Sequence, residues 1–218
     1  MTAQEAVEGS TERRLLAAAE RLFAEHGVGA VSLRAVMQQA GTNVAAVHYH
    51  FGSKQALLAA VVRSRIDQVT AERDTIVKGL ADADVIGFHD LAGALVRPVV
   101  VVLESGGEHW LRLLGGLLRS GPGGLAEIST TFLDRNAEFV RLLGRLTPGT
   151  APRTLGFRLT QAMSITLDVL GDVERTRALM SADNDTWSRQ DIVDDLLDVV
   201  TAILAGPPAS GSTPTTAK

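Results

Sequence analysis

One stretch of the chain, residues 32–54, decides the fold, and it reads SLRAVMQQAGTNVAAVHYHFGSK. Ser32 is a favourable N-cap for a short helix, and Gly41 can adopt the left-handed backbone conformation that a tight turn needs. A second short helix is predicted over residues 44–50, where Asn43 can cap its start. Two short helices joined by a glycine turn are typical of the helix-turn-helix, whose second helix enters the major groove of DNA.

Ten residues of this stretch are candidates for DNA contact. Small side chains on the second helix allow a close approach to the bases, and polar side chains at the turn can bind base edges or phosphates. A packing role for Tyr49 and a plain surface role for Lys54 are the alternatives. The candidates are Ser32, Arg34, Thr42, Asn43, Ala45, Ala46, His48, Tyr49, His50 and Lys54.

The remaining apolar segments have helical rather than strand spacing, so the predicted fold class is all-α. In the first helix, which we expect to begin near Thr11, Leu15, Ala19 and Leu22 form one stripe. Further helices are predicted over residues 54–78, 89–105, 108–120, 125–146, 153–170, 173–180 and 189–204. Ser188, followed three residues later by Asp191, predicts a capping box at the start of the last helix.

Composition and charge exclude several classes of protein. The chain has 218 residues, a net charge of -4 and no cysteine, so disulfide-stapled folds and thiolate metal sites are excluded. Residues 10–65 hold seven Lys/Arg and three Glu, whereas residues 66–218 hold 14 Lys/Arg and 20 Asp/Glu. Any contact with a polyanion is therefore expected near the N-terminus.

Several other features are expected to be absent. The longest apolar run, residues 99–103, is far shorter than the ~20 residues of a membrane helix, and the N-terminus does not resemble a signal peptide. We expect a cytoplasmic protein with no membrane association. The chain lacks the G-x-S-x-G, Walker and G-x-G-x-x-G patterns, and His48 and His50 face different sides of a helix. We therefore expect no enzyme activity, no cofactor and no metal site.

A family resemblance extends this interpretation. Five motifs between Leu16 and Ala60 fall in order and at fixed spacing: AEHG at residues 24–27, SLR at 32–34, AG at 40–41, YHF at 49–51 and SKQAL at 53–57. In these motifs the chain resembles the TetR/AcrR family of bacterial transcriptional regulators. The resemblance implies a three-helix DNA-binding domain on a larger helical domain that binds a small effector and dimerises.

Within that family, the residues around 43–54 are similar to a branch that includes the fatty-acid-responsive regulator PsrA. Residues 110–115 resemble the effector domain of that branch more weakly. One position departs from the family pattern, because His48 stands where the family usually has Tyr or Asn. A neutral histidine offers only one hydrogen-bond donor, which limits the contact that this position can make with a phosphate.

The resemblance, together with the polar composition of the two ends, predicts a division of the chain into four parts. They are a disordered arm (residues 1–9), a helix-turn-helix domain (10–53), a helical ligand-binding and dimerisation domain (54–205) and a disordered tail (206–218). Helices near residues 153–170 and 189–204 are expected to form the homodimer interface, with packing inside one chain as the alternative. Arg97, Trp110, Phe132 and Phe157 are candidates for the effector cavity, with ordinary core and surface roles as the alternative.

These observations together predict a ligand-responsive repressor that acts as a dimer on a palindromic operator in double-stranded DNA. The effector is expected to be a partly hydrophobic small molecule, and an acyl chain or acyl thioester is what the resemblance implies. The alternative function is that of a helical small-molecule sensor or carrier that does not bind DNA.

Overall fold

The computed structural model of the chain describes residues 3–42, 50–120, 136–180 and 187–207, and it describes side chains from Ser10 onward. Every regular element in these ranges is a helix, which confirms the all-α class. The helices are α1 (Ala3–His26), α2 (Leu33–Ala40), α3 (Lys54–Ala81), α4 (Phe88–Glu104), α5 (Glu108–Arg119), α6 (Ala137–Leu146), α7 (Pro152–Leu170), α8 (Val173–Met180) and α9 (Arg189–Ala205).

The first helix begins earlier than its apolar stripe indicates. We predict a disordered arm over residues 1–9, but α1 begins at Ala3, so this prediction is wrong for residues 3–9. Ala, Gln and Glu dominate this segment, and they are good helix formers even where no apolar stripe marks the helix. The predicted disordered tail lies outside the described residues from position 208 onward.

Local capping fixes the two ends of α2. The Ser32 hydroxyl accepts a hydrogen bond from the Ala35 amide at 3.1 Å, as the N-cap prediction requires. At the other end Gly41 has a φ of 62°, and the Thr42 amide donates to the Met37 carbonyl at 3.0 Å. With the hydrogen bond from Gly41 to Gln38 this is a Schellman motif, which turns the chain sharply after α2.

The core of the larger domain is built around α4. This helix packs against α3, α7 and α9, and it is buried on nearly all sides from Leu91 to Leu103. Small side chains such as Ala92 and Ala94 allow these neighbours to approach closely. Helix α1 packs on α2, α3 and α5, so the N-terminal helices are joined directly to the larger domain.

The predicted capping box at the start of α9 is confirmed. The Ser188 hydroxyl accepts from the Asp191 amide at 3.2 Å, and the Asp191 carboxylate accepts from the Ser188 amide at 2.8 Å. Hydrogen bonds from the Ser188 hydroxyl and amide to the Asp191 carboxylate hold the pKa of that group below its ordinary value. Of the predicted helix over residues 125–146, the described part agrees with α6. No described helix has the length and apolarity needed to cross a bilayer.

Gly41 and Gly79 should respond oppositely to alanine. At Gly41 the left-handed conformation disfavours a side chain, so Gly41→Ala should lower the free energy of unfolding by about 1 kcal/mol. Gly79 lies in the exposed end of α3 with open space around it, so Gly79→Ala should raise stability by about 0.5–1 kcal/mol. Urea unfolding measures both, and equal effects of the two substitutions would contradict the turn assignment.

Candidate DNA-binding surface and effector cavity

The exposed face of α2 carries Arg34 and Gln38, one helical turn apart. The opposite face buries Val36, Met37 and Ala40, which hold the helix against α1. Arg34, which was predicted as a DNA contact, is exposed on this face. Gln38, which the sequence analysis did not name, lies four residues further on and therefore on the same face.

The Ser32 and Thr42 hydroxyls are less available for DNA contact than the sequence suggests. The Ser32 hydroxyl is engaged in capping α2. The Thr42 hydroxyl oxygen is buried and has no hydrogen-bond partner among the described residues. A DNA contact from Thr42 would therefore require this oxygen to become exposed. The Schellman turn after α2 sets the direction of the Thr42 side chain. The position of Gly41 in the sequence predicts this turn, but it does not predict the direction of the neighbouring side chains.

Lys54 and His50 lie on either side of the turn that leads into α3. The Lys54 ammonium donates to the Gly29 carbonyl at 3.3 Å, which ties the start of α3 to the loop after α1. Two of its three N–H groups remain for an acceptor outside the protein. The half-buried His50 ring lies against Phe51, with ring centroids 6.1 Å apart. The other candidates of the second helix, Asn43, Ala45, Ala46, His48 and Tyr49, lie outside the described residues.

A small cavity of about 30 Å³ lies among helices α3, α4, α5 and α7. Of the four residues predicted for an effector cavity, only Trp110 lines it. Arg97 is exposed on α4, although its neighbour Pro98 lines the cavity. Phe157 is 66 % exposed on α7, and Phe132 lies outside the described residues. Arg97 and Phe157 therefore do not line this cavity, because side-chain direction on a helix changes by about 100° per residue, and their role in effector binding stays a prediction.

A buried arginine in the cavity wall was missed by the sequence analysis. Arg73 of α3 is 3 % exposed and lines the cavity. Its Nη1 donates to Oδ1 of Asn136 at 2.7 Å, across to the start of α6. The sequence contains a pattern that indicates burial of Arg73. Ile66, Val69 and Val77 are buried apolar residues, and Arg73 falls among them at helical spacing.

Trp110 joins three parts of the molecule. Its ring is 1 % exposed, and its indole N–H donates to the Val61 carbonyl of α3 at 2.9 Å. Its backbone amide, at the start of α5, lies beside the Glu20 carboxylate of α1 and favours the charged form of that carboxyl. A carboxylate is favourable there because the first N–H groups of a helix lack partners within the helix. Helix α1 is thus attached to the residue that lines the cavity.

The environment of Glu20 opposes its charge. Burial raises the pKa of this carboxyl above its ordinary value of 4.5, and this outweighs the opposing effects of Arg65, His109 and the Trp110 amide. The Arg65 Nε lies 3.8 Å from Glu20, and its Nη1 donates to the Ser105 hydroxyl. Nearby, Glu25 of α1 lies 3.7 Å from His109 of α5. Polar contacts therefore connect α1 to α5 at more than one position.

A larger groove of about 770 Å³ lies between the N-terminal helices and α5, α7 and α8. Lys54 and Leu58 of α3 form one wall. On the other side Asp168 pairs with Arg119 at 2.6 Å and with Arg175 at 2.8 Å. These ion pairs are largely exposed, so each contributes little stability by itself. Their geometric effect is to hold α5 against the end of α7.

Both halves of the chain match known protein families. Residues 15–61 match the family described as bacterial regulatory proteins of the tetR family. Residues 93–202 match the tetracyclin repressor-like C-terminal domain. The chain therefore belongs to the TetR family, and it is a DNA-binding transcriptional regulator. Members of this family are generally not enzymes.

Solved structures of the same fold cover nearly the whole chain. A Mesorhizobium loti protein assigned to the TetR family is 19 % identical and covers 94 % of this chain and 98 % of its own, with a TM-score of 0.57. The hemolysin II transcriptional regulator HlyIIR is 16 % identical and covers 89 % and 99 %, with a TM-score of 0.56.

Salmonella enterica GusR is similar in fold as well. It is 18 % identical and covers 89 % of this chain and 95 % of its own, with a TM-score of 0.53. No curated protein matches the chain. The resemblance to the PsrA branch stays a prediction.

Replacing Glu20 should change how stability depends on pH. Because folding raises the pKa of Glu20, the folded chain holds this proton more tightly, and stability falls as the pH rises through that pKa. Glu20→Gln removes this titration, so the variant should gain stability relative to the wild type as the pH rises above the ordinary carboxyl pKa of 4.5. Urea unfolding across this range measures the difference. Glu12→Gln, at an exposed position of α1, is the control, and a flat difference for Glu20→Gln would contradict the burial argument.

Proposed function

We propose that this regulator is a ligand-responsive repressor that acts as a dimer on a palindromic operator. One observation carries the proposal: Trp110 lines a cavity in the larger domain, its indole N–H is hydrogen-bonded to α3, and its backbone amide lies beside the Glu20 carboxylate of α1. A ligand that moves this side chain must disturb the support of the DNA-binding helices. We assign DNA binding to residues 10–53, and effector binding and dimerisation to residues 54–205.

The regulatory step is a shift between two populations of the dimer. In the DNA-competent state the two recognition helices, assigned to residues 44–50, lie about 34–36 Å apart and enter successive major grooves. A ligand held better by the other conformation shifts the population away from this spacing. Coupling of this kind typically amounts to about 1–3 kcal/mol, or about 5- to 150-fold in operator affinity.

The homodimer interface is assigned to α7 and α9. These helices pack against each other, and each leaves a large apolar side chain in solvent. Phe157 on α7 is 66 % exposed, and Val199 on α9 is 44 % exposed. Pairing α7 and α9 with the same helices of a second copy would form a four-helix bundle and cover this surface.

Charge substitutions on these two helices should prevent dimerisation. A glutamate at the centre of an apolar interface loses hydration without gaining a partner, so Phe157→Glu and Val199→Glu should each weaken the dimer at least about tenfold. Leu179→Glu is the matched control, because Leu179 is 77 % exposed on α8. Sedimentation equilibrium measures the dissociation constant, and a dimer unaffected by both substitutions would place the interface elsewhere.

Substitutions on the exposed face of α2 should weaken operator binding. The operator is first obtained by selecting from random double-stranded DNA with the full chain. Arg34→Ala should lower affinity by about 1–3 kcal/mol if it reads a base, or reduce the salt slope by about one if it neutralises a phosphate. Gln38→Ala should lower affinity without changing the salt slope, since it carries no charge.

Lys54 and Arg145 give the comparisons for this experiment. Lys54→Ala should lower the salt slope by about one if the ammonium neutralises a phosphate, because its hydrogen bond to the neutral Gly29 carbonyl leaves the charge intact. Arg145→Ala, at an exposed position on α6, is the control for loss of a positive charge. Mobility shifts at several salt concentrations provide the measurement. Failure to select any specific DNA sequence would overturn the operator-binding proposal.

A further inference from the structure

We infer that the groove between the N-terminal helices and the larger domain is a second binding site, and that it takes an organic molecule with an acidic group at each end. One acidic group pairs with Lys54 of α3, and the other pairs with Arg119 and Arg175 on the opposite wall. The site is separate from the proposed effector cavity, and only its effect on operator binding rests on the proposed function.

The groove has the size and the floor of a ligand site. Its volume of about 770 Å³ falls within the range of about 300–1,000 Å³ that is usual for ligand pockets. Phe23 of α1, Leu58 of α3 and Leu117 of α5 are nearly fully buried and form part of its apolar lining. Helix α5 separates the groove from the small cavity, because Trp110 and Leu114 line the cavity whereas Leu117 lines the groove.

The first positive centre is Lys54, on the wall that belongs to the N-terminal helices. Its ammonium donates to the Gly29 carbonyl at 3.3 Å, and this acceptor is neutral, so the charge stays uncompensated. Within the described ranges Lys54 makes no ion pair with a carboxylate. Two N–H donors and a full positive charge are therefore available to an anion in the groove.

The second positive centre lies across the groove, where two arginines share one carboxylate. The Asp168 carboxylate accepts from Arg119 at 2.6 Å and from Arg175 at 2.8 Å. One negative charge there faces two guanidinium groups. Each guanidinium has five N–H donors, so several remain for a further acceptor. We call Arg119 and Arg175 the arginine pair.

Arg112, the third arginine of this wall, does not add to the positive charge. It pairs with Glu108 at 3.1 Å and with Asp172 at 3.4 Å, so two carboxylates face one cation. Asp172 also lies 3.9 Å from Nε of Arg175, near the limit of an ion pair. The positive charge of the groove is therefore concentrated at Lys54 and at the arginine pair. A complementary ligand carries an anionic group at each of these two positions.

A glycine in the middle of α5 indicates that the groove is kept open. Gly116 lines the groove, and glycine destabilises a helix relative to alanine. At the neighbouring Gly115 a Cβ would lie 3.6 Å from the Leu167 carbonyl, so α7 leaves little room for a larger side chain there. At Gly116 no atom of the described residues lies within 4 Å of such a Cβ. Packing does not require a glycine at this position, whereas an open groove does.

Occupation of the groove acts on DNA binding through Lys54. An acidic group paired with this ammonium competes with a DNA phosphate for it. The second acidic group, held by the arginine pair, ties the start of α3 to α5 and α8. A ligand of this class should therefore lower operator affinity, and at saturation it should reduce the salt slope of operator binding by about one.

The test is a calorimetric titration of the full chain with straight-chain dicarboxylates from butanedioate to dodecanedioate. Each is matched with the monocarboxylate of the same chain length, and bisphosphonates of the same lengths show which acidic group the site prefers. We expect at least one diacid to bind at least about tenfold more tightly than its monoacid, as a second charged hydrogen bond provides. An apolar cavity predicts the opposite order, because a second carboxylate would be buried there without a partner.

Three substitutions locate the site. Lys54→Met removes one positive centre, and Arg119→Met leaves the other neutral, so each should make the diacid bind no more tightly than its monoacid. Gly116→Phe fills the groove and should abolish binding of the preferred diacid. The controls are Arg145→Met on α6 and Gly79→Phe at an open position of α3, and both should match the parent.

Two results would overturn the inference. One is a parent chain for which no diacid binds more tightly than its monoacid. The other is a diacid preference that survives Lys54→Met and Arg119→Met. These two side chains lie at the surface and make only exposed or neutral contacts, so their removal leaves the fold intact and decides the matter even if Gly116→Phe does not fold.

Operator binding by the same samples separates the two proposals. A chain that binds its selected operator but shows no preference for diacids contradicts this inference and leaves the proposed repressor intact. A chain that prefers diacids but binds no specific DNA retains the groove site and contradicts the repressor. In a chain that does both, the preferred diacid should weaken operator binding by the parent but not by Gly116→Phe. An operator affinity that the bound diacid leaves unchanged would overturn the competition for Lys54.

Discussion

The hydrogen bonds of Trp110 are the constraint on which the arrangement of the two halves depends. The indole N–H fixes α5 to the backbone of α3, and the amide of the same residue lies beside the Glu20 carboxylate of α1. A buried tryptophan needs a partner for its N–H, so the ring cannot move alone without leaving a polar group unsatisfied. Movement of the cavity wall is therefore linked to movement of α1, and α1 supports α2.

A second unusual feature is a buried cation in the cavity wall, since Arg73 lies in a stripe of α3 whose other members are apolar. Removing a guanidinium from water is costly, and the hydrogen bond from Arg73 to Asn136 offsets part of that cost. Residues that oppose local packing rules are most often explained by function. Glu20 is a comparable case at the junction of α1 and α5, where burial works against its charge. Both groups lie on the proposed route from the effector to DNA.

Much of the local structure could be predicted from residue types and spacing. The N-caps at Ser32 and Ser188 and the turn at Gly41 follow from local chemistry that acts within four residues, and each is found as predicted. The site residues were harder to predict. Arg97 and Phe157 are the kinds of residue that bind ligands, yet they point away from the cavity, whereas Arg73 has to be recognised by its place in an apolar stripe.

The sequence by itself determined the helical class, the capped helix-turn-helix and the family, because these depend on periodicity and on motifs of fixed spacing. Only the tertiary structure decided which side chains meet. Arg73 and Asn136 are 63 residues apart in the chain, and Trp110 and Glu20 are 90 residues apart. Such pairs form because helices pack side by side at angles and depths that depend on the whole core, and no local pattern records that geometry.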